Sequence, residues 1–286
     1  MELQANIYTP SSKTHEVISW TLLAGLLFLR LPFLVGVGYF AANSWVDPLF
    51  EICTYVLTLC IIWWERDRLK LFHIDALAIL IIIFLKPLQT LFLAIHPHES
   101  ILAFPNLPSL TVWVSAVVLL LVIRKKRPDL LKVQRTSWRW FGIGILVGMG
   151  KAFLNAYLLA SQTDTDLLSH KPRLFNVLLP ILPLFVYQIS MAAITEEPLF
   201  RGFLWGHLRK AGWNELGVCF FQALLFALGH IYYLPELPYS FWVIVPVGAL
   251  VFGLLAWRSR TIASSMAAHG LSNALSQLIA PYFHSV

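Results

Sequence analysis

Ile194-Thr-Glu-Glu-Pro-Leu-Phe-Arg-Gly202 sets two adjacent carboxylates and a guanidinium inside a run that is otherwise apolar. An ionised side chain near mid-bilayer costs roughly 2.5 to 3.5 kcal/mol on insertion scales. Charges at that depth demand a compensating structure, a function, or both. The chain around them is 286 residues long, 58% hydrophobic and 13% charged, with a mean hydropathy of +0.71. Soluble domains carry about 25% charged residues. The composition therefore predicts an all-α protein, a polytopic bundle of about eight or nine transmembrane helices, with no room for a separate soluble domain.

Nine apolar runs follow in order, at 17–42, 48–64, 76–95, 108–123, 140–160, from 174 through the Glu196 cluster, 216–233, 239–257 and 261–282. Most are close to the roughly 17 to 25 residues that cross a bilayer as a helix. Residues 1–16 are polar and lack the cationic, apolar and small-residue succession of a cleaved signal, so they read as a tail. Residues 17–173 then form an N-terminal set of membrane helices, and 174–286 a C-terminal core. The Gly142, Gly144, Gly148 and Gly150 series in the fifth run predicts close helix packing.

Alternating the loops between two sides puts about fifteen Lys and Arg on one side and two, Lys171 and Arg173, on the other. That is the positive-inside pattern, so the N-terminus is assigned to the cytoplasm and the protein to the inner (plasma) membrane. The basic run Arg124-Lys-Lys-Arg127 reads as a topology determinant beside anionic lipid, and no nucleic-acid partner is expected. Cys53, Cys60 and Cys219 lie in apolar runs without a CxxC and read as buried small hydrophobes. Arg30, Lys86 and Lys151 lie in other spans and match no motif. The first two read as interior-facing or snorkelling.

Polar groups recur at membrane depth in the last third of the chain. Glu197 and Arg201 are i,i+4 and can pair on one helical face. Glu196 projects about 100° away from Glu197, so the two carboxylates have different tasks. Phe226 and His230 share the i,i+4 spacing, as do His269 and Asn273. Pro198 lacks an N–H, which frees the Ile194 carbonyl and predicts a local kink at the Glu pair. Counted at 1.5 Å per residue, Glu196 lies about 15 Å in, His269 about 13 Å, and His230 nearer 20 Å.

Glu-Glu-x-x-x-Arg, Phe-x-x-x-His and His-x-x-x-Asn, in that order on separate membrane helices, resemble the CPBP intramembrane proteases. These are also called ABI or CAAX protease-like, and they include the endopeptidase that trims prenylated CAAX proteins. The resemblance covers about residues 174 to 280. It implies that Glu196 is the general base that activates water and that His230 helps to hold that water. His269 and Asn273 would stabilise the oxyanion, and Glu197 and Arg201 would brace the site. Amide hydrolysis needs such a base and such donors.

The expected activity is hydrolysis of a peptide bond in a membrane-associated or lipidated protein or peptide. Glu, His, His and Asn could also ligate zinc, and the family was long described as metalloproteases. There is no HExxH, and the resemblance favours a metal-free glutamate mechanism with no cofactor, zinc being the alternative. Two other readings stay open: a transporter whose buried Glu and His relay protons, and a family member that serves as an immunity or scaffold protein without turnover.

Overall fold

A computed structural model describes residues 12–29, 46–69, 76–81, 83–84, 107–127, 137–161, 181–182, 184–235 and 237–283. Every regular element among them is helical. The tail to residue 11, Arg30, Lys86, Lys171 and Arg173 lie outside the described residues, as does most of the third apolar run.

The helices are α1 (Lys13–Phe28), α2 (Val46–Trp64), a single turn α3 (Arg66–Leu69), α4 (Leu107–Lys126) and α5 (Trp138–Ala160). The helix α6 occupies 189–210 in four contiguous pieces, a wide π turn Ile189–Ala193, an α turn Ile194–Glu197, a second wide stretch Pro198–Leu204 and an α turn Trp205–Lys210. Then come α7 (Glu215–Leu228), a 3-10 turn Ile231–Tyr233, a π turn Ser240–Ile244 leading into α8 (Val245–Ser259), and α9 (Ile262–Ile279) with a closing 3-10 turn Ala280–Tyr282. Local chemistry fixes several of the starts. Ser12, Asn214 and Thr261 stand at N-caps and accept backbone N–H groups from His15, Gly217 and Ala263, which would otherwise lack a partner.

Among the described residues two helices, Trp138–Ala160 and Ser240–Ser259, are long and apolar enough to cross a membrane, and Leu49–Trp64 and Glu215–Leu228 are shorter apolar helices. Large apolar side chains point outward along them. Leu216, Phe220 and Leu224 recur every four residues on α7, and Leu146 and Phe153 stand seven residues, about two turns, apart on α5. Water would penalise such a surface and acyl chains would solvate it. The cysteine expectation is corrected in part. Cys219 is buried, but Cys53 is only half-buried and Cys60 is exposed on α2, where an apolar solvent accepts a thiol as readily as a core does.

The described parts of four segments assigned to the basic side, around His15, Glu65, His207–Glu215 and Arg260, come together. His15 Nε2 lies 3.0 Å from Glu65 Oε1, and Trp20 Nε1 donates to His207 Nε2 at 3.0 Å. Arg209 and Arg260 each come within 3.3 Å of Glu215, which also accepts from Trp205 Nε1 at 2.8 Å.

The closest helix pair is α5 with α9, and glycine is the reason. A Cβ on Gly144 would fall 2.3 Å from the Ser264 carbonyl oxygen, and one on Gly148 would fall 2.7 Å from that of Ala268. Gly142 and Gly150 have nothing within 4 Å of such a Cβ, so only half of the series makes the contact. Backbone cannot retreat as a side chain can. Gly144→Ala is therefore expected to cost about 1–3 kcal/mol through overpacking, with Gly142→Ala neutral. Thermal unfolding of the two variants in detergent checks this. Across the same helix, Gly270 of α9 admits Ile189 of α6, where a Cβ would meet the Ile189 side chain at 2.5 Å and its backbone nitrogen at 3.2 Å. Two close approaches thus clamp α9 between α5 and α6, and they bring His269 to the Glu pair.

Candidate active site

Both carboxylates sit on the short α turn of α6, between two wide turns. Where a local kink was expected the helix widens, with Pro198 opening the second wide stretch. Wide turns shift side-chain phase and often occur at functional sites. Here Glu197 is turned wholly inward and Glu196 stays partly open, with side-chain exposures of 0% and 20%.

Glu197 is the centre of a buried network. Arg201 Nη1 lies 3.2 Å from Glu197 Oε1, and both side chains are fully buried. Arg201 Nη2 donates to the Ala249 carbonyl of α8 at 3.1 Å, and its guanidinium lies 4.5 Å from the Phe226 ring centroid. The same Glu197 oxygen is 3.0 Å from His269 Nδ1. A carboxylate facing Arg⁺ is an acceptor, so His269 donates from Nδ1 and turns Nε2 the other way. Phe252 stacks on the His269 ring at 5.0 Å between centroids.

Glu196 faces two imidazoles. His230 Nε2 is 3.5 Å from its Oε1, and His269 Nε2 is 3.8 Å from its Oε2. His230 does not lie within a span that continues to Tyr233, as the apolar run implied. The helix α7 stops at Leu228, and His230 follows Gly229 in a turn with φ −110° and ψ 19°. His230 Nδ1 donates to the Phe226 carbonyl at 2.8 Å, and the two rings lie 4.6 Å apart. The predicted aromatic–imidazole pair is therefore present, with a hydrogen bond that fixes the tautomer. In its neutral form His230 presents a lone pair at Nε2 toward Glu196.

Glu196, His230, His269 and Asn273 all line one cavity of about 580 Å³. Asn273 Nδ2 donates to Gln188 Oε1 at 3.4 Å, which leaves one of its two N–H groups for the cavity. Glu197 and Arg201 lie behind this wall.

Several lining residues carry no motif, among them Lys151, Asn155, Gln188 and Tyr233. Lys151 and Asn155 are spaced i,i+4 in an apolar run, a signal that could have marked them as a pair sharing one face. Gln188 stands eight residues before Glu196, close to two helical turns, and so shares its side of the helix.

Among the described residues no three His, Cys, Asp or Glu side chains are grouped to hold a metal ion.

Residues 178–275, from just before α6 to the last turn of α9, match the family model described as Type II CAAX prenyl endopeptidase Rce1-like. The three motifs lie within that segment and resemble the same group of proteases. No curated protein and no solved structure matches the chain.

Proposed function

We propose, from a C-terminal core that carries the Rce1-like pattern, that this membrane protein is an endopeptidase acting on a membrane-anchored or lipidated peptide by glutamate-activated water. The observation that carries the reading is the meeting of Glu196 with the Nε2 atoms of His230 and His269 at the edge of one cavity.

The chemistry follows from the tautomers. With Nδ1 committed to Phe226, the neutral His230 ring accepts at Nε2. A water at the apex between Nε2 and the Glu196 carboxylate donates one proton to each acceptor and turns an oxygen lone pair toward the substrate. Glu196 takes the proton as that oxygen attacks the carbonyl carbon. The protonated carboxyl then delivers it to the leaving amine.

The oxyanion needs donors that exist before the reaction. Asn273 offers its remaining amide N–H. His269, held by Glu197 through Nδ1, donates from Nε2 in its protonated form. Arg201 supplies the positive charge that keeps Glu197 an acceptor. The peptide bond must lie along the cavity, which opens among α2, α5, α6, α7, α8 and α9. The basic end of the bundle is assigned to the cytoplasm on charge asymmetry, which fits a cytoplasmic anchored substrate.

Purified protein incubated with a lipidated peptide that extends past its anchored cysteine is expected to release a C-terminal fragment, read by mass spectrometry. The rate is expected to be unchanged by a strong chelator. Loss of cleavage on chelation with recovery on added zinc would overturn the metal-free mechanism. No cleavage of any anchored peptide would overturn the activity.

A further inference from the structure

A second, smaller cavity of about 50 Å³ adjoins Glu196, lined by α1, α2, α6 and the end of α7 with the turn after it. It shares Thr54, Thr195, Glu196, Phe226 and His230 with the larger cavity, so these side chains form the partition between the two. Thr58 and Phe200 line the smaller one alone. Its outer walls, α1 and α2, stand outside the segment that matches the family model.

Thr54 and Thr58 are i,i+4 on α2 and share a face. Thr54 Oγ1 is buried and has no hydrogen-bond partner among the described residues, and Glu196 Oε2 is likewise without one. A buried hydroxyl without a partner is costly, and an internal water is the usual remedy. A wholly apolar cavity stays dry. One that carries threonine hydroxyls, a carboxylate and an imidazole offers a water the two to four partners it needs. At about 10–15 Å³ for each water, this one has room for three.

We propose that the smaller cavity is a water store, and that the Thr54 hydroxyl hands water from it to the place between Glu196 and His230 Nε2 where hydrolysis begins. The inference rests on the peptidase reading for the use made of that water. A peptide that fills the larger cavity displaces water from it, and the acyl chains around the bundle supply none. The smaller cavity is too small to admit a peptide, so its water stays beside Glu196 when substrate is bound. A hydroxyl accepts from one water and donates to the next, which no apolar side chain can do. Thr54 is a positioning residue: it acts through the water that Glu196 activates and neither gains nor loses a proton.

The test uses full-length protein in lipid nanodiscs. A microsecond X-ray pulse converts water to hydroxyl radicals, which oxidise the side chains beside it, and mass spectrometry reads the products. Phe200 and Phe203 are both buried on α6, and Phe203 lines neither cavity. Wild type is expected to show several-fold more oxidation at Phe200 than at Phe203. Thr54→Val keeps the shape and removes the hydroxyl. It is expected to lower kcat on an anchored peptide by about fivefold to tenfold, the worth of one hydrogen bond, with KM unchanged. It is also expected to reduce Phe200 oxidation, and Thr54→Ser to restore both. Thr58→Leu, which fills the smaller cavity without touching the larger, is expected to act as Thr54→Val does. Phe200 as protected as Phe203 in wild type would mean a dry cavity and overturn the store. So would undiminished kcat in Thr54→Val. Phe200 oxidation that Thr54→Val suppresses, with no peptide cleaved by wild type, upholds the water site and removes the peptidase. Cleavage with a protected Phe200 does the reverse.

Discussion

Glu196→Gln is expected to reduce peptide hydrolysis by about 10²–10⁴-fold while the protein folds and binds substrate as wild type does. The amide has the shape of the carboxyl and can still hydrogen-bond at the cavity edge. It cannot accept the proton of an attacking water, and the adjacent carboxylate is not placed to replace it. Glu197 is fully buried and committed to Arg201 and His269. The expected change is in kcat, with KM little altered, because the base acts in the transition state and not in binding. Rates on one anchored peptide, with melting curves in parallel, give the result. Wild-type turnover in the Gln variant would mean that the water is activated elsewhere.

Glu197→Ala is expected to harm stability and activity together, for separable reasons. Removing one partner of a buried ion pair leaves an uncompensated charge and costs about 3–5 kcal/mol. Here the stranded group is Arg201, whose remaining polar contact is the Ala249 carbonyl. The same substitution deprives His269 Nδ1 of its acceptor, so Nε2 is no longer aimed. The double variant Glu197→Leu with Arg201→Met distinguishes the two effects. Removing both charges restores much of the stability, since apolar replacement of a buried pair is often neutral or better. Activity is expected to stay low, because His269 still lacks its orienting carboxylate. Stability and activity returning together would reduce Glu197 to a purely structural brace.

Much of this was legible in the residues alone. The i,i+4 spacing of Glu197 and Arg201 needs only helical geometry, and the pair is present at 3.2 Å. The glycine series announced a close helix contact, but not which glycines make it. That depends on the face of α5 opposite Ser264 and Ala268, and a run apolar all round does not specify a face. The end of α7 at Leu228 was not legible, because an apolar run gives no sign of where a helix stops inside it. Gly229 ends α7 there, and the turn carries the imidazole to Glu196. The Glu197–His269 contact spans 72 residues of sequence, and no local pattern encodes it. Lys151 had no motif, and its place in the cavity follows from tertiary packing against Gly248 and Phe252.

The central claim is that one water bridges Glu196 and the second-motif imidazole in a cavity shared with His269 and Asn273. An experimental structure in lipid, at a resolution that places single waters, tests it most directly. The account predicts density for one water within hydrogen-bond reach of both the Glu196 carboxylate and His230 Nε2. A metal ion held there by those side chains would contradict it, as would a His230 ring turned away to the acyl chains.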